Sequence, residues 1–212
     1  MRLDEALAEL PVVAIVRGVT PDEAPAIAEA LYAEGVRAIE VPLNSPEPLE
    51  SLRRLAEVCR GRMACGAGTV LTPEGVDAVA QAGGTIVVAP NTDAAVIRRA
   101  VELGLDVAPG VATATEAFQA IAAGARHLKL FPAATYGPGH LKQLKAVLPP
   151  EVTVWAVGGV GPDDLAAWWS AGARAFGLGG ELYRPGQSPA ETHAKAARIV
   201  AVVRKLGNSG TG

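Results

Sequence analysis

The stretch "HLKLFPAATYGPG", residues 127–139, decides how this chain is read. His127 to Pro132 has the look of a buried strand, yet Lys129 stands in the middle of it. A lysine with an ordinary pKa of ~10.4 belongs at the surface and not inside an apolar run. Side chains on a strand alternate between two faces, so His127, Lys129 and Phe131 share one face while Leu128 and Leu130 share the other. The leucines suit an apolar helix layer. The lysine therefore points to the opposite side of the sheet, into whatever the strands enclose.

Similar runs recur along the chain: "VVAIVR" (12–17), "AIEVPL" (38–43), "ACGAGTV" (64–70), "TIVVAP" (85–90), "DVAPGV" (106–111), "TVWAVGG" (153–159) and "AFGLGG" (175–180). With the opening stretch they make eight candidate strands, roughly 20 to 26 residues apart. Helical features follow each one. Thr20-Pro21-Asp22-Glu23 and Thr113 to Glu116 carry the capping-box pattern, Thr72-Pro73 repeats a Thr–Pro start, and Pro25 interrupts the first turn of its helix. Val96, Ile97, Ala100 and Val101, and again Leu141, Leu144 and Leu148, recur at helical spacing. Glycines stand where several of these helices end. "FPAATYGPG" reads as a loop capping the end of its strand before the next helix begins.

Strands alternating with helices imply right-handed βαβ units around a parallel sheet. Eight units in 212 residues match a closed (β/α)8 TIM barrel at its smallest size, with an extra helix at the N-terminus. The competing doubly wound open sheet is weakened, because "VRGVTPDE" stands where a GxGxxG turn would follow the first strand. The expectation is one barrel domain over residues 1–212 with a frayed tail at 207–212.

Composition narrows the function. A net charge of −3 lacks the basic surplus of a nucleic-acid binder. No apolar run approaches the ~20 residues that span a bilayer, and the acidic start "MRLDEALAEL" is unlike a signal peptide, so the expected location is cytoplasmic. Cys59 and Cys65 are too few for a disulfide framework and read as buried thiols. His127, His140 and His193, placed on a strand, in a loop and in the last helix, have no metal-ligand spacing; His127 reads as a satisfied structural histidine. No metal and no cofactor are expected. Of the adjacent Trp168 and Trp169, one is expected in the core and the other partly exposed.

In a barrel of this kind the chemistry sits at the C-terminal ends of the strands. Glu40 shares the inward phase, because Ile39 and Val41 suit the helix layer, and Arg17 closes the first strand on the phase of Val13 and Ile15. An arginine, a glutamate and a lysine from three strands thus converge. Such a triad can be structural, each charge neutralising its neighbours, but its position at the catalytic end favours a functional reading. Glycine pairs in "VGGVGPDD" (157–164) and "GLGGEL" (177–182) follow the seventh and eighth strands, where backbone amides can approach a phosphate. With no histidine cluster and no GxSxG elbow, covalent catalysis by an amine remains. A neutral lysine condenses with a ketone to an iminium that acts as an electron sink. Apolar surroundings and the Arg17 cation both favour the neutral amine, and Glu40 is the carboxyl able to move protons. A non-catalytic phosphosugar-binding barrel and an isomerase using Glu40 as base stay open on these grounds.

The motifs "IEVPLNSP", "GAGTVL", "APN", "PGVATATEAF", "LKLFPA", "AVGGV" and "GLGGELY" resemble the small class I aldolases that cleave 2-keto-3-deoxy-6-phospho sugar acids, over nearly the whole chain. The resemblance implies a metal-free, typically trimeric barrel acting on a small phosphorylated keto acid. It assigns Lys129 as the Schiff-base lysine, Glu40 as the general acid/base and Arg17 as the partner of the pyruvyl carboxylate. It also places Thr69, Pro90, Phe131 and Val157 against the substrate and Gly158, Gly159, Gly179 and Gly180 around its phosphate. "LNS" (43–45) and "VGG" (157–159) agree with the galactonate-type branch, where gluconate-type enzymes typically read "LRT" and "TGG". Val157 would lie beside the C4 hydroxyl. Gly180 departs from the serine that many relatives carry.

Overall fold

The structure is a computed structural model and describes residues 1–208, with the side chains of residues 207 and 208 left aside. Nine strand segments form one sheet: β1 (Val12–Ile15), β2 (Ala38–Pro42), β3 (Ala64–Gly68), β4 (Ile86–Val88), β5 (Asp106–Ala108), β6 (Gly110–Val111), β7 (His127–Leu130), β8 (Thr153–Val157) and β9 (Ala175–Leu178). The helices are α1 (Leu3–Glu9), α2 (Ala24–Ala33), α3 (Pro48–Cys59), α4 (Pro73–Gln81), α5 (Ala94–Glu102), α6 (Ala114–Ala122), α7 (Ala133–Lys145), α8 (Leu165–Ser170) and α9 (Pro189–Asn208).

Every strand pairing is parallel, and the order β5-β4-β3-β2-β1-β9-β8-β7-β6 runs around the sheet. Its two ends, β5 and β6, are halves of one expected strand divided at Pro109, whose missing N–H cannot join a ladder. The Lys129 N–H donates to the Pro109 carbonyl at 2.9 Å, so the ring closes through this break into a (β/α)8 barrel.

Period-two alternation separates two apolar clusters. Val12, Ala14, Ile39, Val41, Leu128, Leu130, Val154, Ala156 and Phe176 face outward and pack with buried residues of the helices. Val13, Ala38, Ala64, Ile86, Val88, Ala108, Trp155, Val157 and Ala175 fill the interior, joined by Leu3, Ala6 and Leu7 of α1. The extra N-terminal helix is thus a plug for the lower end of the barrel. Polar ties fix it there: Arg2 donates to Asp106 Oδ1 at 2.7 Å and to the Gly104 carbonyl at 2.8 Å, and the Leu3 N–H donates to Asp106 Oδ2 at 3.1 Å.

Caps at Thr72, Asp93 and Thr113 accept backbone N–H bonds, the last as a full capping box with Glu116. Gly35, Gly83, Gly104, Gly124 and Gly172 follow their helices with positive φ, the conformation that ends a helix most cheaply. Three expectations need correction. Thr20 and Glu23 do bond to each other, but Glu23 is itself the N-cap and α2 begins at Ala24, past the predicted start at Pro21. "FPAATYGPG" is not a loop, because α7 starts at Ala133 and continues across a kink at Gly137 and Pro138, which places His140 in a helix. Of the tail predicted to fray, Gly207 and Asn208 continue α9, while 209–212 lie outside the described residues. Trp168 is buried and Trp169 half-buried beneath the Arg174 guanidinium.

Candidate active site

The upper end of the barrel opens into a cavity of about 540 Å³, within the range of sites for small metabolites. All eleven residues singled out from the sequence line it: Arg17, Glu40, Thr69, Pro90, Lys129, Phe131, Val157, Gly158, Gly159, Gly179 and Gly180. Strand register fixes two of the ionisable ones. Glu40 pairs with Ile15 on one side and Gly66 on the other, while Lys129 lies between Gly110 and Trp155.

Lys129 is 7% exposed and Glu40 2%, so both charges have left bulk water. Burial lowers the Lys129 pKa, opposed by the Glu40 carboxylate and assisted by the Arg17 guanidinium. Its Nζ lies 4.6 Å from the centre of the Phe131 ring, two residues along the same face. Burial raises the Glu40 pKa to about 7, against the pull of Lys129, Arg17 and a hydrogen bond to the Gly68 backbone. A carboxyl with a pKa near neutrality can both give and take a proton under ordinary conditions. Glu40 Oε2 is buried with no partner, a costly state unless something arriving in the cavity satisfies it. Gly68 makes room for it: a Cβ at that position would overlap both carboxylate oxygens.

Arg17 is more open. It extends from the end of β1, and its Nη1 donates to Asn44 Oδ1 at 2.5 Å. The Gly18 N–H donates to Ser45 Oγ at 2.9 Å, so "LNS" after β2 fixes the loop after β1 at two points. Thr69 has φ 57, left-handed backbone that a β-branched residue seldom adopts outside a functional site. Gly159 has φ 71, and a Cβ there would press on the Ala134 side chain, so the turn after β8 admits only glycine without displacement.

Ile15, Val160, Gly161, Asp164, Gly177 and Glu181 also line the cavity and were not predicted as site residues. Ile15 lay on the inward phase and could have been included. Asp164 and Glu181 stand beyond the strand ends, where no periodicity predicts side-chain direction. The opposite end of the barrel holds His127, whose Nε2 lies 3.0 Å from Asp4 Oδ1 and whose Nδ1 accepts from Trp155 Nε1 at 3.3 Å. Burial lowers its pKa, which favours the neutral, structural imidazole. Cys59 and Cys65 are buried free thiols. Among the described residues, no group of three or more His, Cys, Asp or Glu could hold a metal ion, and no helix is long and apolar enough to cross a membrane.

Residues 3–202 match the family described as aldolase, KDPG and KHG aldolase. The chain belongs to that family. The 2-dehydro-3-deoxy-6-phosphogalactonate aldolase of Escherichia coli (strain K12) is 50% identical over 197 residues, 93% of this chain and 96% of that protein. A probable 2-dehydro-3-deoxy-6-phosphogalactonate aldolase of Rhizobium meliloti (strain 1021) is 44% identical over 193 residues, 91% of each chain. Among solved structures, a native KDPGal structure superimposes with a TM-score of 0.93 at 49% identity, covering 94% of this chain and 97% of that one. Membership of the KDPG and KHG aldolases agrees with the barrel of parallel strands.

Proposed function

We propose that this chain is a class I aldolase that reversibly cleaves 2-dehydro-3-deoxy-6-phospho-D-galactonate to pyruvate and D-glyceraldehyde 3-phosphate. The observation that carries the reading is a buried lysine, its pKa lowered, facing a buried carboxyl with an unpartnered oxygen. Half-identity to the Escherichia coli enzyme over nearly the full length of both chains supports the choice of substrate.

In the cleavage direction Arg17 holds the substrate carboxylate while the neutral Lys129 amine attacks the C2 ketone. Glu40, protonated, gives its proton to the carbinolamine hydroxyl, which leaves as water and yields the iminium. The resulting Glu40 carboxylate takes the proton of the C4 hydroxyl. The C3–C4 electron pair then moves into the iminium, giving an enamine and releasing D-glyceraldehyde 3-phosphate. Return of that proton to C3 and hydrolysis of the iminium free pyruvate and the amine. Thr69, Pro90 and Phe131 shape the pyruvyl end, Val157 sits beside C4, and Gly158, Gly159, Gly179 and Gly180 offer backbone N–H groups to the phosphate. The chain works as a single-domain homotrimer in the cytoplasm, with a solution mass three times the chain's 21.6 kDa.

Borohydride added with pyruvate tests the central step: a stable pyruvyl adduct on Lys129, located by peptide mass, is expected. An adduct elsewhere, or none, overturns the mechanism and leaves the non-catalytic barrel or the isomerase. Comparing kcat/KM for the galactonate and gluconate epimers tests the substrate, because a preference for gluconate would reverse the role given to Val157.

A further inference from the structure

Of the three charged groups at the strand ends, Glu40 and Lys129 are buried and Arg17 is exposed. A long exposed side chain keeps its rotamer freedom unless its backbone and its head group are both held. On one side the loop after β2 does this, through Asn44 and Ser45. On the other side β9 runs next to β1, with Leu178 in register with Ala14, so the loop after β9 is the second neighbour of the Arg17 turn. That loop is firmly tied within itself. The Gly179 carbonyl accepts from the Leu182 and Tyr183 N–H groups at 2.8 and 2.9 Å. Gln187 Nε2 donates to the Leu182 carbonyl at 2.7 Å and to Thr192 Oγ1 at 2.8 Å, which anchors the segment to α9.

Two residues of this loop reach across to the loop after β1. The Pro185 ring packs over Gly18: a Cβ on that glycine, which has φ 81, would lie 2.7 Å from Pro185 Cγ. The buried Tyr183 donates its hydroxyl to Glu23 Oε2 at 3.5 Å. The same oxygen accepts from the Thr20 N–H at 3.0 Å and from Thr20 Oγ1 at 2.7 Å. Hydrogen bonds from Thr20 hold the Glu23 carboxyl below its ordinary pKa, and burial pushes the Tyr183 phenol up to about 12. An anionic acceptor therefore meets a neutral donor at ordinary pH. These contacts bracket the Arg17–Glu23 turn at its start and at its end. Neither Tyr183, Pro185 nor Glu23 lines the cavity, so their effect must pass through the turn.

We infer that Tyr183 and Pro185 are positioning residues for Arg17, backing the turn that aims its guanidinium at the substrate carboxylate. The inference rests on the aldolase reading above, in which Arg17 holds that carboxylate. An arginine–carboxylate contact depends on the geometry of its fork, so a small shift of the turn weakens it. The grip on the pyruvyl end thus depends on side chains from the loop after β9, although that loop does not touch this end of the substrate.

The test measures the pyruvate concentration that half-saturates borohydride trapping of Lys129, and KM for pyruvate in addition to D-glyceraldehyde 3-phosphate. The proteins are wild type, Tyr183→Phe, Pro185→Ala and the double variant, each also made in an Arg17→Ala background. With Arg17 present, each single substitution is expected to raise both values about threefold and the double variant about tenfold, the range of one or two modest hydrogen bonds. The kcat and the inhibition constant of inorganic phosphate are expected to stay within about twofold of wild type, because Gly179 and Gly180 keep their own ties. In the Arg17→Ala background the same substitutions are expected to change half-saturation by less than about 1.5-fold, since the group they position is gone. Unchanged pyruvate binding with Arg17 present, an equal effect without it, or a matching loss of phosphate inhibition overturns the inference alone. Absence of the adduct from wild-type Lys129, or pyruvate binding indifferent to Arg17→Ala, overturns the aldolase reading or its use of Arg17, and the inference with it.

Discussion

His127 and Lys129 stand two residues apart on one face of β7, and the two ends of the barrel treat them in opposite ways. Both are buried, and burial shifts both pKa values toward the neutral form. At the lower end His127 has a partner for each ring nitrogen, Asp4 from α1 and Trp155 from β8, and α1 closes the interior beneath it. At the upper end Lys129 faces an open cavity and a carboxyl with a free oxygen. The same desolvation serves stability where every polar atom is matched, and reactivity where one is left unmatched.

Substitutions at the two ends should therefore separate activity from stability. The largest effect is expected for Lys129→Ala: aldol cleavage falls on the order of 10⁴-fold or more, as for other lost nucleophiles, while thermal unfolding shows no loss of stability. A variant that keeps full activity would remove the lysine from the mechanism.

Glu40→Gln comes next, with kcat reduced by about 10²–10⁴-fold. It also carries a stability signature. The folded-state pKa of Glu40 is raised from 4.5 to about 7, so its stabilising contribution is complete below 4.5 and is lost as pH rises through 7. Relative to Glu40→Gln, the wild-type Tm should fall between pH 5 and 8, by an amount worth at most about 3 kcal/mol. Parallel curves for the two proteins would show that the carboxyl is not held near neutrality.

Asn44→Ala is expected to act through Arg17 alone, because Asn44 bonds that guanidinium and is not among the residues lining the cavity. KM for pyruvate in the addition direction should rise about tenfold, the worth of roughly one charge-assisted hydrogen bond, with kcat nearly unchanged. Asn44→Gln should recover part of the loss, and an equal fall in kcat would point to a general structural role instead.

The smallest effect on chemistry belongs to the lower end. His127→Ala leaves the buried Trp155 N–H without its acceptor and should cost about 1–3 kcal/mol in denaturant unfolding. Its kcat should stay within about twofold of wild type, since the strand register, not the imidazole, holds Lys129 in place. A large loss of kcat would couple the two ends more closely than the contacts between them suggest.

Much of the site was legible because a strand has only two faces. Once Leu128 and Leu130 are assigned to the helix layer, Lys129 must point inward, and the same step places Glu40 and Arg17. The glycine pair after β8 marked its turn for a similar reason, since few other residues take the positive φ that Gly158 and Gly159 adopt. What escaped lies where neither constraint applies. Asp164 and Glu181 sit on turns with no fixed period. The start of α2 was placed too early, because Thr20 and Glu23 bond to each other outside the helix. The division of the fifth strand at Pro109 was written in the sequence as a proline inside a short apolar run, a warning that strand-counting passed over.

Gly68 gives the molecule an off-switch one methyl wide. The position touches no part of the proposed reaction directly, yet a Cβ there would take the space of the Glu40 carboxylate. Gly68→Ala is therefore a candidate for a protein that keeps its lysine and its phosphate turns while its proton carrier is displaced. A chain of that kind could be caught with its substrate bound and uncleaved, as a snapshot of the complex that the working enzyme passes through too quickly to hold.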